Sequence, residues 1–232
     1  MYSKKYEISE KDCNENSILL VSSLFNYLQM IMSSNVNYLG AGSDYHHKRN
    51  LAWVFVDYEV NITKLPRKGD IVNVGTIPYS FKRFYAFRKY EIKDNFGNIL
   101  VIATGKFVLI NFLTKEIVSP SNEVIEQFKM QEKEPVALKM TKQHKVDELR
   151  LVKELIVSEK DIDENNHVNN AVYLQYVEED LQDIEQIKDI RVTYKKEAVQ
   201  GDILQVYKSV VPDSNIYIIK RKEEVLTQIY FA

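Results

Sequence analysis

The sequence predicts an α+β fold in which one unit occurs twice, each unit a long helix followed by an antiparallel sheet. Residues 9–16 and 158–165 are identical at six of eight positions, and apolar residues at helical spacing follow both segments. Residues 69–74 match residues 201–206 later in each copy, where β-branched and aromatic residues predict strands. Because both matches occur in the same order, we infer a duplication.

The elements of each unit follow from the spacing of its apolar residues. Apolar side chains three or four positions apart predict a helix over 17–38, and a similar pattern predicts a second helix between Val168 and Ile184. A short helix is expected over 123–130. The predicted strands are 53–62, 69–78, 86–93 and 99–111 in the first unit, and 190–198, 202–211, 216–221 and 224–231 in the second.

This pattern divides the chain into two domains of the same plan. A helix surrounded by an antiparallel sheet, duplicated, is the plan of a tandem (double) hotdog fold. Residues 1–131 form the predicted N-terminal hotdog and residues 147–232 the predicted C-terminal one. Residues 132–146, which are rich in Lys, Glu and Gln, are predicted to connect the two.

The composition is that of an ordinary folded protein and excludes several classes. Apolar residues make up 45% and charged residues 28% of the 232, which argues against disorder. No apolar run approaches the roughly 18 residues of a membrane span, and the N-terminus does not fit a signal peptide. A net charge of −2 gives no field for nucleic acid. With Cys13 the only cysteine, we expect a cytoplasmic protein with no disulfide, metal or cofactor.

A polar segment before the second helix carries the clearest candidates for chemistry. Asp163, Asn165 and His167 occur at alternate positions on the predicted loop that leads into the helix. Backbone N–H groups at a helix N-terminus are unpaired and suit a developing oxyanion. Hydrolysis at an acyl carbon needs such donors and an activated water. An Asp or Asn at this place is otherwise a helix cap, and a lone His there is incidental.

This segment resembles the motif of the acyl-acyl carrier protein thioesterases of plants and bacteria. The resemblance covers nearly the whole chain, and Tyr194 to Glu197 resembles a later strand segment of that family. It implies an enzyme that releases fatty acid from acylated carrier protein, without a cofactor. The residues that it implies are catalytic are Asp163, Asn165, His167 and Glu197. The positions that match the motif and are expected to bind substrate are Asn169, Asn170 and Tyr173.

The duplication provides an internal control for these assignments. The position of His167 corresponds to Ile18 in the first copy, and that of Glu197 corresponds to Leu65. The first copy has therefore lost the imidazole and the carboxylate, and we expect it to hold the acyl chain. Trp53 and Phe55 are candidates for lining that acyl site, although either can equally be ordinary core.

The sequence limits the mechanism in two ways. Many plant members carry Cys after the strand Glu, but here the position is Ala198, so the resemblance implies direct attack by water or a covalent role for Glu197. Strict alternation along strand 190–198 places Glu197 beside Lys195 on the polar face, which would lower the pKa of a carboxyl that has to act as a base.

A basic run between residues 64 and 93 offers a candidate docking surface. It holds eight basic and two acidic residues. Acyl carrier proteins are acidic, so an exposed basic surface would attract one. Strand alternation places Lys82 and Arg88 on one face and Arg83 and Lys89 on the other. The alternative is a strand pair with a solvated face.

Two other functions remain open at this point. A hotdog acyl-CoA thioesterase would use the same chemistry but needs a basic site for the nucleotide phosphates. A non-catalytic acyl-binding hotdog protein would not need the acidic and imidazole groups of the motif. Pairing of two chains into a homodimer is compatible with either plan.

Overall fold

The computed structural model describes residues 1–42, 45–46, 48–131, 137–141, 146, 148–211 and 215–232. Residues 132–136 and 142–145 of the predicted linker lie outside this set, so the division at 131 and 147 remains a prediction. Within the described residues, no helix is both long and apolar enough to cross a membrane.

The first half contains one long helix and most of the long strands. Helix α1 buries Leu24, Leu28 and Ile31, which follow one another at the predicted helical spacing, against the sheet. The elements are β1 (Tyr2–Glu7), α1 (Val21–Tyr38), β2 (Leu51–Ile62), β3 (Ile71–Lys82), β4 (Tyr85–Lys93), β5 (Ile99–Asn111), β6 (Ile117–Val118) and α2 (Asn122–Phe128).

The second half repeats this order, with a shorter helix and shorter strands after it. They are β7 (Leu149–Ile156), α3 (Asn170–Glu178), β8 (Asp189–Tyr194), β9 (Ile203–Ser209), β10 (Asn215–Arg221) and β11 (Glu224–Phe231). Two elements end earlier than predicted. The second helix stops at Glu178, and the strand predicted over 190–198 stops at Tyr194.

All strands join one antiparallel sheet whose order shows the duplication. The order is β1-β3-β4-β5-β2 in the first half and β8-β11-β10-β9-β7 in the second, with β6 beside β5. The second series is the first in reverse, so the two halves are related by a pseudo-twofold axis at the β2–β8 pair. Tyr58 lies opposite Val192 at that junction. The α+β, duplicated plan predicted from the sequence is confirmed.

Equivalent backbone hydrogen bonds confirm the repeat at the level of atoms. The N–H of Leu19 donates to the carbonyl of Pro66 at 2.9 Å, and the N–H of Val168 donates to the carbonyl of Ala198 at 2.9 Å. These are the same pair of positions in the two copies. Gly69 and its counterpart Gly201 both have positive φ, at 84° and 85°, which permits the tight turn before β3 and β9.

The interior contains two apolar clusters. The larger runs through both halves under α1 and α3. The smaller, here called the distal cluster, lies near the C-terminal end of α1 and is only partly closed. Its buried members are Ala41, Ala86, Phe107, Val124, Phe128 and Met130, and its partly exposed members are Met32, Val36, Leu39, Tyr45, Trp53, Phe55 and Phe81.

Each long helix has its N-terminus bound by a side chain of the other helix. Helix α1 begins after Leu20, which offers no capping side chain. Glu178 of α3 provides the cap instead: its carboxylate accepts from the backbone N–H of Ser22 at 2.8 Å and from the Ser22 hydroxyl at 2.6 Å. In the other half, Gln29 of α1 donates to Asn169, the cap of α3, at 3.2 Å. The helix pair therefore depends on both halves.

We predict a pH-dependent stability effect from this cap. Burial raises the pKa of Glu178 above its ordinary 4.5, although the hydrogen bonds from Ser22 oppose the shift. Stability from this group is present below about pH 4.5 and is lost as pH rises through the raised pKa. We therefore expect the unfolding free energy of Glu178→Gln, relative to wild type, to increase between about pH 4 and about pH 7 in urea titrations.

Glu179→Gln is the matched control on the next residue of the helix. Its hydrogen bond with Lys153 lowers the pKa of Glu179. The unfolding free energy of Glu179→Gln relative to wild type should therefore decrease or stay nearly constant over the same pH range. A Glu178→Gln difference that falls with pH would mean that folding favours the ionised carboxylate, and it would contradict the raised pKa.

Candidate active site

Asp163 builds the loop that carries His167. Its Oδ1 accepts from the backbone N–H of Asn165 at 2.8 Å and from that of His167 at 3.3 Å, while its own N–H donates to the carbonyl of His167 at 2.8 Å. Asn166 completes the turn in the left-handed region, with φ at 63°. The side chain of Asn165 is exposed and lies 3.4 Å from Asp163 Oδ2. The loop thus places His167 just before α3.

The first half forms the same loop without a carboxylate. Asn14 Oδ1 accepts from the N–H of Asn16 and of Ile18, both at 3.0 Å, and Ser17 takes the left-handed position at 61°. An amide oxygen is therefore sufficient for the backbone structure. The negative charge of Asp163 is not required to fold the loop and is available for another role.

His167 and Glu197 form the polar pair of the site. The distance from His167 Nε2 to Glu197 Oε2 is 3.1 Å, and the side chains are 30% and 47% exposed. Both groups are therefore within hydrogen-bonding distance and open to solvent. Two of the residues predicted to be catalytic, 30 positions apart in sequence, are thus in direct contact.

Glu197 is placed by the segment that follows β8 and not by the strand itself. Since β8 ends at Tyr194, the alternation argument that put Glu197 beside Lys195 on a polar face does not apply. The backbone of Ala198 pairs with Val168, which fixes this segment against the loop of His167. Arg221 Nη1 lies 3.5 Å from the carbonyl of Glu197 and binds Asp202 at 2.7 Å.

The structure corrects the prediction that Tyr173 binds substrate. Tyr173 is 2% exposed, and its hydroxyl accepts from the N–H of Ala198 at 3.1 Å. Burial raises the pKa of Tyr173 well above its ordinary value, so the phenol stays neutral. Its role is to hold the residue next to Glu197 from inside the core.

Asn169 and Asn170 lie at the start of α3, beside the site. Asn169 Oδ1 caps the helix by accepting from the N–H of Ala171 at 2.9 Å and also accepts from Gln29 of the first half. The carbonyl of Asn170 accepts from the hydroxyl of Tyr194 at 2.9 Å. Sequence reasoning missed Gln29, because its position in a helical apolar pattern gives no sign of a contact with the other half.

Trp53 and Phe55 both belong to the distal cluster. Phe55 packs against Phe107 with ring centroids 4.6 Å apart, and Trp53 packs edge-on against Phe128 at 5.7 Å. Both remain partly exposed, as do Met32 and Val36 on the facing part of α1. The cluster is therefore an apolar surface between α1 and the sheet that is partly exposed to solvent.

The equivalent position in the first half is apolar. Ile18 and Leu65, the counterparts of His167 and Glu197, are 3% and 5% exposed. Beside this loop is a groove of about 510 Å³, lined by Asn14, Glu15, Asn16, Ile18, Leu20, Glu178, Leu181, Asp183, Ile184, Glu185 and Gln186. Cys13 lies on the same loop, paired with Leu19, and burial raises the pKa of its thiol, which disfavours a nucleophilic thiolate.

The candidate docking residues separate into buried and exposed groups. Arg88 is 4% exposed, so its prediction as a docking residue is wrong. A bulge between Pro78 and Ser80 and a turn at Arg83 also break the assumed alternation. Lys82 and Arg83 are exposed at the β3–β4 turn, whereas Lys89 is half-buried and lies over the Tyr79 ring at 3.5 Å.

Comparison with known families identifies the fold and the relatives of this site. The sequence model of the acyl-ACP thioesterase N-terminal domain matches residues 1–128, and that of the acyl-ACP thioesterase C-terminal domain matches residues 143–229. The chain belongs to the acyl-ACP thioesterase family. The C-terminal match contains the loop of His167 and the segment of Glu197.

Similar proteins of this family are known from plants and bacteria. Oleoyl-acyl carrier protein thioesterase 1 of Arabidopsis thaliana is 24% identical over 88% of this chain, and palmitoyl-acyl carrier protein thioesterase of Gossypium hirsutum is 26% identical over 93%. The chain spans 62% and 56% of the length of these two chloroplastic proteins.

Solved structures of the family share the fold over its whole length. An acyl-ACP thioesterase from Bacteroides thetaiotaomicron superposes with a TM-score of 0.86 at 21% identity, covering 99% of this chain and 96% of the other. The 12:0-ACP thioesterase from Umbellularia californica gives 0.84 at 20% identity, covering 99% and 95%. The predicted double hotdog is confirmed. In the part of the chain that the structure describes, no three His, Cys, Asp or Glu residues converge as a metal site.

We predict that the loop tolerates loss of the Asp163 charge but not loss of its oxygens. Asp163→Asn should change the unfolding free energy by less than about 1 kcal/mol, because Asn14 already forms the same turn. Asp163→Ala should cost about 1–2 kcal/mol, since two backbone N–H groups lose their acceptor. Denaturant titration measures both values.

Asn14→Ala is the matched variant in the first half and should cost about as much as Asp163→Ala. If Asp163→Asn is as destabilising as Asp163→Ala, the carboxylate is part of the fold, and the comparison with Asn14 does not hold.

Proposed function

We propose that this chain hydrolyses the thioester of fatty acyl-acyl carrier protein and releases free fatty acid, which terminates fatty acid synthesis. The contact of His167 with Glu197 at 3.1 Å carries the proposal, because this solvent-open pair occurs only in the half that retains the full motif. Membership of the acyl-ACP thioesterase family supports it. A non-catalytic acyl-binding protein would not need a carboxylate and an imidazole held together beside a helix N-terminus.

We assign the attack to water, with Glu197 as the general base. His167, carrying its proton on Nε2, donates to Glu197 Oε2 and orients the carboxylate, which takes a proton from the attacking water. The oxyanion faces the start of α3, where the N–H of Asn170 has no partner among the described residues. The intermediate then collapses to the fatty acid and expels the carrier's thiolate, which takes the proton back from Glu197. Ala198 after Glu197 and the raised pKa of Cys13 argue against a cysteine nucleophile.

We assign the acyl chain to the distal cluster. Gln29 contacts Asn169 at the site, and Met32 and Val36 follow on α1 toward this cluster. Trp53 and Phe55 face them from β2. An acyl chain that extends from the site along α1 therefore contacts apolar side chains that are partly exposed to solvent. Its binding buries apolar surface of both the acyl chain and the protein.

The exposure of the basic residues decides where we place the docking of the carrier protein. Among the basic residues, Lys82 and Arg83 are the exposed ones at the β3–β4 turn, and we assign the docking of the acidic carrier protein to them. A cytoplasmic location and a homodimer remain predictions from the sequence.

We predict a large loss of turnover when the polar pair is removed. His167→Ala and Glu197→Gln should each lower kcat by about a hundredfold or more, because each removes a positioned group at the reacting centre. The measurement is release of free fatty acid from acyl-carrier protein of several chain lengths, with acyl-CoA in parallel to separate the two thioesterase classes.

Ile18→His is the matched control in the first half. It should restore no activity to His167→Ala, because Leu65 offers no carboxylate there. Turnover of His167→Ala near the wild-type value would refute the catalytic assignment.

We also predict that charge reversal at the β3–β4 turn weakens binding of the carrier. Arg83→Glu should raise KM for acyl-carrier protein several-fold and leave kcat nearly unchanged, since exposed charges act on encounter. Lys222→Glu is the matched control, because both residues are exposed and take positive φ in a hairpin turn, at 57° and 54°. Equal KM values for the two variants would place docking elsewhere.

A further inference from the structure

Two tyrosines lie in the core beside the segments that carry the polar pair. Tyr173 is the fourth residue of α3, and Tyr194 is the last residue of β8. Their rings meet edge-on, with centroids 6.0 Å apart. Tyr173 is buried, and Tyr194 packs against the larger apolar cluster. The mechanism proposed above uses neither hydroxyl.

The hydroxyl of Tyr173 holds the segment of Glu197. It accepts from the N–H of Ala198 at 3.1 Å, while the carbonyl of Ala198 accepts from the N–H of Val168 at 2.9 Å. The residue next to Glu197 is therefore bound through both of its backbone groups. Because Glu197 follows the end of β8 and its side chain is 47% exposed, these backbone bonds restrict where its carboxylate lies.

The hydroxyl of Tyr194 holds the start of α3. It donates to the carbonyl of Asn170, the first residue of the helix, at 2.9 Å. Asn170 is also the residue whose N–H is assigned to the oxyanion. Since the two tyrosine rings are in contact, they connect the residue beside the base with the residue that carries the oxyanion donor.

The first half shows that the fold needs neither hydroxyl. Leu24, the fourth residue of α1, is the counterpart of Tyr173 and is fully buried. Ile62, the last residue of β2, is the counterpart of Tyr194 and is 4% exposed. The backbone bond between the loop and the segment after the strand forms in both halves. Aliphatic side chains are therefore sufficient to build this part of the core.

The donor at Ala198 is also absent from the first half. Its counterpart is Pro66, which has no backbone N–H. The first half thus lacks both groups of the hydrogen bond, and the second half keeps both. A hydroxyl in the core is unfavourable unless it is bonded, and Leu24 avoids that cost. The bond between Tyr173 and Ala198 therefore accompanies the catalytic pair and not the fold.

We propose that Tyr173 and Tyr194 are positioning residues of the active site, which fix the Glu197 carboxylate relative to the oxyanion donor. This inference rests on the proposed thioesterase function and assigns to it two residues that act through the backbone they hold. A misplacement of about 1 Å at a reacting centre lowers the rate by on the order of a hundredfold. Loss of either hydroxyl should therefore affect turnover more than substrate binding.

The test removes each hydroxyl and keeps the ring. Tyr173→Phe and Tyr194→Phe should each lower kcat for acyl-carrier protein by about tenfold or more and leave KM nearly unchanged. Tyr217→Phe is the matched control, because Tyr217 is buried in the same half and its hydroxyl donates to Asp180 Oδ2 at 2.8 Å. It loses a comparable hydrogen bond and should be destabilised about as much, with kcat unchanged.

A double variant separates the fold from the function of the hydroxyl. In Tyr173→Phe the N–H of Ala198 loses its acceptor, and adding Ala198→Pro removes that N–H, as Pro66 does in the first half. The double variant should regain unfolding free energy relative to Tyr173→Phe but not regain kcat. It also serves if Tyr173→Phe does not fold. Recovery of both quantities together would mean that the hydroxyl serves only the fold.

The ring signals of His167 report its contact with Glu197 without any turnover. In nuclear magnetic resonance spectra of Tyr173→Phe, we expect these signals to move toward their positions in Glu197→Gln. In Tyr217→Phe they should stay at their wild-type positions, because Asp180 contacts neither member of the polar pair in the described residues.

The outcomes separate this inference from the proposed function. A loss of kcat in Tyr173→Phe no larger than in Tyr217→Phe, or His167 signals that do not move, overturns the positioning role and leaves the thioesterase intact. Absence of hydrolysis by the wild type, with acyl-carrier protein and acyl-CoA alike, overturns the proposed function. The His167 signals then still decide whether Tyr173 holds the polar pair in place.

Discussion

The backbone hydrogen bond from Val168 to Ala198 is the constraint on which the site depends. It joins the loop before α3 to the segment after β8, and so brings His167 within 3.1 Å of Glu197. The first half has the same bond between Leu19 and Pro66. Because this bond joins backbone atoms, and because Asn14 replaces Asp163 as the acceptor that holds the turn, the first copy could lose the imidazole and the carboxylates without losing its fold.

The two halves consequently share a structure and differ in electrostatics. The second half carries the solvent-exposed polar pair of His167 and Glu197, whereas Ile18 and Leu65 are buried at the same positions in the first half. Each helix nevertheless needs the other half at its N-terminus, since Glu178 caps α1 and Gln29 binds the cap of α3. The N-terminus of α1 is therefore completed by the second half, whereas α3 has its own cap, which Gln29 contacts.

Features that follow from the backbone pattern were predicted correctly from the sequence. Features that depend on tertiary packing were not. The repeat offsets correctly identified equivalent positions, and the motif brought His167 and Glu197 to one site. Alternation misplaced Glu197, because β8 ends at Tyr194, and it placed Arg88 among solvated charges, because a basic residue on a strand gives no sign of burial. The contact of Gln29 with Asn169 could not be predicted from the sequence, because it depends on how the two helices cross.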